Sequence, residues 1–310
     1  MNKPLLSIVI ANYNYGRFLE EAIQSVIAQN MGDKVELIIC DAASTDNSVD
    51  IIKKYAGGLP PNTHLVEWLA EPSNTQALKP SSHHITWWCS GKDGGQSAAF
   101  NKGFAQSKGE WLTWLNSDDM LMPGSLQAFA ILVKKRPAAN WITGNMLSFD
   151  DSSKCVQSVN WGPHVQPPFL KRTKAFNAVF GPTTFFRRRL YDVAGPMDEN
   201  MHFAMDTEYW SRLTMMGERQ IRLNSLCWAF RIHQESKTEG VQTKSLIEKR
   251  LKETVYWREK TGYGFVKSYR NPYYLLWIAW RVFDGSWLAR MIIKRRTEGH
   301  KIDAIMQKGV

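Results

Sequence analysis

The sequence predicts an α/β protein organised on a mostly parallel sheet, and three observations predict it. Short apolar runs, rich in β-branched and aromatic residues, recur at Leu6–Ile10, Leu37–Cys40, Ile85–Cys89 and Trp111–Leu115. None alternates with polar residues, which is the pattern of strands covered on both faces. Segments with apolar residues at helical spacing separate the runs, so the order is strand, loop, helix, strand, with right-handed crossovers expected. The 310 residues include 13 Trp and are 44% hydrophobic, which supplies a sizeable core and argues against disorder.

The first strand leads into Asn12-Tyr13-Asn14-Tyr15-Gly16, a turn composition. Phe18, Leu19, Ala22, Ile23, Val26 and Ile27 then recur as they do on a helix, which should run to about Gln29. The second strand ends in Asp41, and the stretch from Ser44 to Ser48 offers several N-caps for a helix over Val49–Tyr55. From Ala56 to about His84 the pattern fades among Gly and Pro, which predicts an insertion with a short strand at Leu65–Leu69. After Ile85–Cys89 comes Gly91-Lys92-Asp93-Gly94-Gly95-Gln96, then a helix carrying Ala98, Ala99, Phe100 and Phe104. Glycine-rich turns between strand and helix expose N–H groups that can hold a phosphate. Neither the Walker spacing nor GxGxxG is present here.

The stretch Trp111-Leu112-Thr113-Trp114-Leu115-Asn116-Ser117-Asp118-Asp119 runs an apolar strand straight into two adjacent carboxylates. Burying such a pair costs several kcal/mol unless a positive charge is shared. A divalent cation with oxygen ligands, Mn or Mg, answers that need, usually with a phosphate as co-ligand. Pro123 and Gly124 begin a new segment, so the pair falls at the carboxyl end of a strand, where open α/β sheets bind ligands. A second reading stays open on these residues alone: Asp119 as a helix N-cap and Asp118 as its solvated neighbour.

Ser125–Lys135 should be a helix and Trp141–Thr143 a strand, with loops and edge strands over 150–180. Gly181–Phe186 is strand-like, and Arg187-Arg188-Arg189 behind it reads as a solvated strand end. Met201–Met216 is at least partly helical, opened by Asp206, whose charge suits the helix dipole. Ile221–Arg231 makes one or two strands, followed by a loop with His233.

The net charge of +10 is unevenly placed: residues 239–310 hold 15 Lys and Arg against 7 Asp and Glu. The chain therefore divides into a near-neutral first part, 1–238, and a basic helical tail, 239–310. In the tail, Leu246–Glu259 is a charged helix, and Tyr273, Leu276, Trp277, Trp280, Trp287, Leu288 and Met291 recur at helical spacing among arginines. Aromatic and basic residues on one amphipathic helix suit a membrane surface. Packing of that helix on the first part is the alternative. A nucleic-acid partner is not expected, because no recognition motif accompanies the charge.

Cys40, Cys89, Cys155 and Cys227 are far apart and form no CxxC, so neither a disulfide framework nor a zinc site is expected. No apolar stretch is long enough for a membrane span, and the N-terminal run is too short for a signal peptide. The expected location is the cytoplasm, free or peripheral on the inner face of the cytoplasmic membrane.

Taken in order, the blocks Ser7–Gly16, Glu36–Ser48, Asp93–Gly103, Trp111–Asp119 and Gly181–Arg212, with Arg231–Ser236 behind them, resemble the family 2 glycosyltransferases of the GT-A fold. The resemblance covers about residues 5–238. Asp93-Gly94-Gly95-Gln96 with Asn101-Lys102-Gly103 is similar to a subgroup working on bacterial surface polysaccharides. It implies a Rossmann-like nucleotide-diphospho-sugar fold with a helical appendage, an inverting transfer from a nucleoside-diphosphate sugar, and a saccharide or lipid-linked saccharide acceptor. By that resemblance Ala11, Tyr13, Asn14 and Asp41 meet the base, while Asp93, Gln96, Asn101 and Lys102 reach the ribose and diphosphate. Asp118 lies nearer the ribose and Asp119 on the metal, with His233 as a further metal or diphosphate contact. Asp206 takes the place of the catalytic base, with Glu208 as the fallback, and Thr183 and Thr184 line the acceptor pocket. The chain departs from the family where acidic residues are usual, at Ala42, Asn116 and Met205. Those departures keep open a catalytically silent nucleotide-sugar-binding or partner-binding relative. Nucleotidyl transfer is a further reading, but Asn12–Arg17 is a poor version of its glycine-rich loop.

Overall fold

The computed structural model describes residues 3–57, 84–164, 183–237, 243–262 and 272–308. The strand expected at 65–69 and the Gly181-Pro182 start of the later one lie outside the described residues. The chain forms two compact units, Met1–Leu121 with Phe186–Glu199, and Met122–Phe185 with Asn200–Val310.

In the first unit, strands Leu6–Asn12 (β1), Val35–Asp41 (β2), Trp87–Ser90 (β3) and Trp111–Asn116 (β4) lie in the order β3-β2-β1-β4. All four run parallel, with Asn12 opposite Asp41, and Ala11 opposite both Cys40 and Asn116. Their carboxyl ends therefore share one edge. Sequence order reverses between β1 and β4, the switch point at which such sheets leave a ligand crevice. A two-residue strand, Met120–Leu121 (β5), follows β4 and was too short to read from sequence. The later strand Thr184–Arg187 (β8) joins β4 antiparallel through Phe186 and Arg187.

Helix Gly16–Ile27 (α1) buries Phe18, Leu19, Ala22, Ile23 and Val26, the stripe expected from their spacing. Ser48–Ala56 (α2) and Gln96–Gln106 (α3) follow β2 and β3 as crossover helices. A Cβ on Gly103 of α3 would lie 2.3 Å from Val9 Cγ1 on β1, so the glycine sets how closely helix and sheet approach. Phe100, Phe104, Trp114 and Phe186 fill the interior with tilted and edge-on ring contacts of 5.5–6.5 Å. At the amino ends of the strands, the buried Glu36 carboxylate accepts from Ser7 Oγ at 2.5 Å and Gly109 N at 2.8 Å, and also from Lys108 N. This fixes the turn that delivers β4.

The arginine run is a correction to the sequence reading. Arg187 lies over the Trp111 ring at 4.7 Å and pairs with Glu110. Arg188 opens the helix Arg188–Ala194 (α5) and donates to Gly109 O at 2.9 Å and Ser107 Oγ at 2.7 Å. Two of the three thus pack against the unit, and Arg189 is the exposed one.

In the second unit, Trp141–Asp150 (β6) pairs antiparallel with Val156–Asn160 (β7) and parallel with Gln220–Ile232 (β9), which is one long strand. The β6–β9 register shifts around Asn145, whose amide donates to Leu223 O and Ser225 O at 3.2 Å each. Helix Ser125–Lys135 (α4) matches its expected bounds, and Phe129 on it stacks on Phe185 at 4.2 Å. Met205–Met215 (α6) is the helix that carries Asp206.

The described tail carries four helices, Lys244–Thr261 (α7), Pro272–Phe283 (α8), Ser286–Thr297 (α9) and Ile302–Lys308 (α10). The stretch expected to run helically from Tyr273 to Met291 breaks at Gly285, whose φ of 77° is left-handed and suits glycine. One side of the tail docks on its own unit. Arg281 donates to Trp161 O at 2.7 Å, Arg290 to Val159 O at 2.9 Å, and Ile302 N to Lys154 O at 2.8 Å. Another side leaves Leu275, Leu276, Val282, Phe283, Trp287, Leu288 and Ile292 exposed. Among the described residues, no helix is long and apolar enough to cross a membrane.

Candidate active site

The loops at the carboxyl ends of β1–β3 are tied together through Asp41. Its oxygens accept from Asn12 Nδ2 at 2.8 Å, Ser44 Oγ at 2.5 Å, Ser44 N at 3.0 Å and Ser90 Oγ at 2.6 Å. Only 1% of Asp41 is exposed, so its role in the folded chain is to lock three loops together. Asn14 carries the lock outward: its N–H donates to Ser44 Oγ at 2.9 Å, and its Oδ1 accepts from Thr45 N at 2.8 Å. Asn14 has φ 54°, a left-handed conformation that asparagine tolerates. Between these anchors Tyr13 is 59% exposed, leaving its ring available to a flat ligand, and Ala11 is half-buried.

The loop before α3 is built by Asp93, whose Oδ1 accepts Gly95 N at 2.9 Å. Gly95, at φ 107°, then starts the helix in a conformation only glycine adopts easily. Gln96 is the first helical residue, so the positive end of the α3 dipole opens at the shared strand edge. Asn101 faces elsewhere. Its amide donates to Met197 O at 2.9 Å and Glu199 Oε1 at 3.0 Å, and its oxygen accepts Met197 N at 2.8 Å. It fastens α3 to the segment after α5. Lys102 is exposed, and its positive charge reaches the Cys40 and Cys89 thiols at the ends of β2 and β3.

The end of β4 carries a short relay. Gln96 Nε2 donates to Asn116 Oδ1 at 2.9 Å, and Asn116 Nδ2 donates to Asp119 Oδ2 at 2.9 Å. Asp119 N in turn donates to the Asn116 backbone O at 3.1 Å, which closes the turn that carries the carboxylate. Asp119 is 1% exposed and Asp118 half-buried. Among the described residues, no group of three or more His, Cys, Asp and Glu side chains clusters as a self-sufficient metal cage. Two adjacent carboxylates fit instead the mode of Mg or Mn, which take one or two protein carboxylates and complete their shell with water and substrate phosphate.

The remaining expected residues belong to the second unit. Asp206 is the second residue of α6, and its Oδ1 accepts Thr207 N at 2.6 Å. Loss of hydration pushes its carboxyl above the usual aspartate range, against the opposing pull of the Thr207 N–H. Glu208 is 0% exposed and lies 2.9 Å from Arg212 Nε and 3.1 Å from Lys260 Nζ. Both cations face the same oxygen, Oε1. His233 is buried in a turn held by its N–H to Ser236 Oγ at 3.0 Å and by Ser236 N to His233 O at 3.0 Å. Thr183 and Thr184 are both fully buried, and Thr183 O accepts Gly144 N at 2.7 Å.

Glu253 is a residue that the sequence reading missed. It lies on the tail helix α7, and its carboxylate accepts the backbone N–H groups of His202, Phe203 and Ala204 at 2.9, 2.7 and 3.3 Å. Spacing gave no signal for it, because the amides it accepts precede α6 and lie about 50 residues from it in sequence.

A parallel sheet whose switch-point edge gathers an exposed aromatic, a glycine-started helix and paired carboxylates defines the GT-A class of nucleotide-diphospho-sugar transferase fold. The chain belongs to Glycosyl transferase family 2, whose pattern matches residues 7–193. An uncharacterized glycosyltransferase of Nostoc sp. is 36% identical over 201 residues, covering 62% of this chain and 54% of that protein. The chain spans about half the length, or less, of the curated relatives it matches. Staphylococcus aureus TarS 1-349 in complex with UDP-GlcNAc superposes with a TM-score of 0.56 at 15% identity, covering 81% of this chain and 65% of that one. A mannosyltransferase of Pyrobaculum calidifontis in complex with GDP-Man and manganese gives 0.53 at 16% identity, covering 100% and 80%. At such identities the likeness establishes the fold. Asp206, His233 and the tail lie beyond the family match.

Proposed function

We propose that the chain is an inverting, metal-dependent glycosyltransferase that moves a sugar from a nucleoside-diphosphate donor to a hydroxyl acceptor in cell-surface polysaccharide or glycolipid assembly. The observation that carries this reading is the oriented carboxylate of Asp119, held by the Gln96–Asn116 relay beside Asp118 at the end of β4. The donors captured in the two solved relatives, UDP-GlcNAc and GDP-Man with manganese, support the donor class.

In this reading Tyr13, with Ala11 and Asn14, receives the base, and the α3 amino end with Asp93, Gln96 and Lys102 receives the ribose and diphosphate. Asp41 and Asn101 act by holding those loops. Asp118 and Asp119 would hold the cation; the bound cation supplies positive charge to the departing diphosphate. Asp206 takes the proton from the acceptor hydroxyl as its oxygen attacks the anomeric carbon and the bond to the diphosphate breaks. General-base help of this kind is worth roughly a hundred- to ten-thousand-fold. Asp206 is preferred over Glu208, whose carboxylate is committed to Arg212 and Lys260. With Thr183 and Thr184 fully buried, they would shape an acceptor pocket from behind. The exposed apolar side of α8 and α9, near Lys294, Arg295 and Arg296, supports a membrane surface and a lipid-linked acceptor.

A panel of nucleoside-diphosphate sugars, including UDP-GlcNAc and GDP-Man, tests the reading by calorimetry and by release of the nucleoside diphosphate, with and without manganese. Asp119→Ala should abolish the manganese-dependent part of donor binding. Binding that is indifferent to both manganese and Asp119→Ala would overturn it.

A further inference from the structure

The first N–H groups of an α-helix have no partner within the helix, and something outside must accept them. At α6 the N-cap residue is Ala204, which cannot. Within the first turn Asp206 Oδ1 accepts Thr207 N, while the chain entering α6 is held by Glu253, about 50 residues later and on a different helix: Oε1 takes His202 N, and Oε2 takes Phe203 N and the N-cap Ala204 N. These are charge-assisted bonds, and a carboxylate at a helix amino end also suits the dipole. Glu253 does not act alone. Arg250 lies over the Phe203 ring at 5.3 Å, Trp257 Nε1 donates to Ser211 Oγ at 3.2 Å, and Lys260 lies 3.1 Å from Glu208. Residues 250, 253, 257 and 260 recur every three or four positions, so one face of α7 grips α6 from before Asp206 to beyond it.

We infer that Glu253 is a positioning residue for Asp206, and that α7 is a working part of the transferase. The inference rests on the proposal that Asp206 is the base. The three capped amides lie two to four residues ahead of Asp206. Freeing them lets the start of α6 fray, and a misplacement of about 1 Å at a reacting group costs roughly a hundredfold.

The test uses the full chain and two substitutions, Glu253→Ala and Glu253→Gln, each in the native and the Asp206→Asn background. Turnover is read as UDP released from UDP-GlcNAc with manganese, and backbone order as hydrogen exchange at residues 202–204. Glu253→Ala should lower kcat by about tenfold or more while leaving the donor KM unchanged. It should also speed exchange at 202–204 without loss of protection in β1 and β4. Glu253→Gln, which keeps one accepting oxygen, should fall between and serves if the alanine variant does not fold. In the Asp206→Asn background neither change should cost anything further. An equal loss in both backgrounds, or unaltered exchange at 202–204, would overturn the inference. Full activity of Asp206→Asn would instead remove the base assignment, and the exchange result would still report on the brace, since it needs no substrate.

Discussion

The side-chain amide of Asn116 donates to the Asp119 carboxylate at 2.9 Å while its oxygen accepts from Gln96 at 2.9 Å. An amide can serve both partners because it has a donor end and an acceptor end; an ionised carboxylate in its place could serve only Gln96. Asn116→Asp therefore removes the donor to Asp119 and adds a like charge beside it. Without metal this should cost about 1–3 kcal/mol of stability. Manganese should recover more of that loss than it adds to the native chain, because a cation relieves the repulsion. Melting curves in EDTA and in manganese make the comparison. A loss that manganese leaves untouched would count against a cation at this strand end.

Gly103 falls within the stretch whose order resembles donor-binding family members, yet its constraint is packing. A Cβ there meets Val9 Cγ1 at 2.3 Å and Cγ2 at 3.0 Å. Gly103→Ala should destabilise by about 1–3 kcal/mol through overpacking, with the donor KM unchanged. Val9→Ala removes both opposing methyls, so the double variant should be more stable than Gly103→Ala alone, and the two changes should be clearly non-additive in urea unfolding.

What could be read from the chain alone was local. The four strands of the first unit announce themselves because each is a continuous apolar run, and Asp118-Asp119 stands out because two charges end such a run. What could not be read depends on partners distant in sequence. Asp41 gathers Asn12, Ser44 and Ser90 from three loops, and no spacing rule shows that its carboxylate is saturated. Arg188 finds Ser107 and Gly109 some 80 residues upstream, which turned an expected solvated end into a packed corner. Glu253 looks like one more charge on a charged helix until the amides of 202–204 are seen to converge on it. Gly285 was legible as a residue but not as a break, because the aromatic spacing continues across it.

The exposed side of the tail makes a separate prediction. Phe283 is 83% exposed at the end of α8, with Trp287 and Leu288 also exposed at the start of α9. Burying a Phe or Leu side chain in a lipid interface is worth roughly 1.5–3 kcal/mol. Phe283→Ser with Leu288→Ser should therefore weaken binding to anionic phospholipid vesicles by at least about tenfold. The melting temperature should not fall, since neither side chain is in the core. Raised salt should weaken the native chain's binding as well, through the nearby Lys294, Arg295 and Arg296. Flotation with vesicles measures both effects. Undiminished flotation of the double variant would rule out this surface as the membrane contact.

Asp206 should make the protein less stable than it needs to be at neutral pH. Burial holds its folded-state carboxyl above the ordinary value of 3.8, the Thr207 N–H notwithstanding. A raised carboxyl means that the unfolded chain gives up this proton more readily. The group's stabilising contribution is thus full below the unfolded value and is lost as pH rises through the folded one. Asp206→Asn abolishes that dependence while keeping an oxygen that can accept from Thr207 N. The variant should melt above the native chain at neutral pH, and the difference should shrink as pH falls toward the ordinary aspartate value. Donor binding should persist while transfer falls roughly a hundredfold or more. On the proposed assignment of Asp206 as the base, the acid limb of kcat should lie above the ordinary aspartate range, because the base must be ionised to accept the hydroxyl proton. Paired melting curves from acid to neutral pH, with kcat measured across the same range, check the sign. A native chain more stable than Asp206→Asn at neutral pH would show that the half-buried charge is compensated, and the usual cost of the proposed preorganised base would be missing.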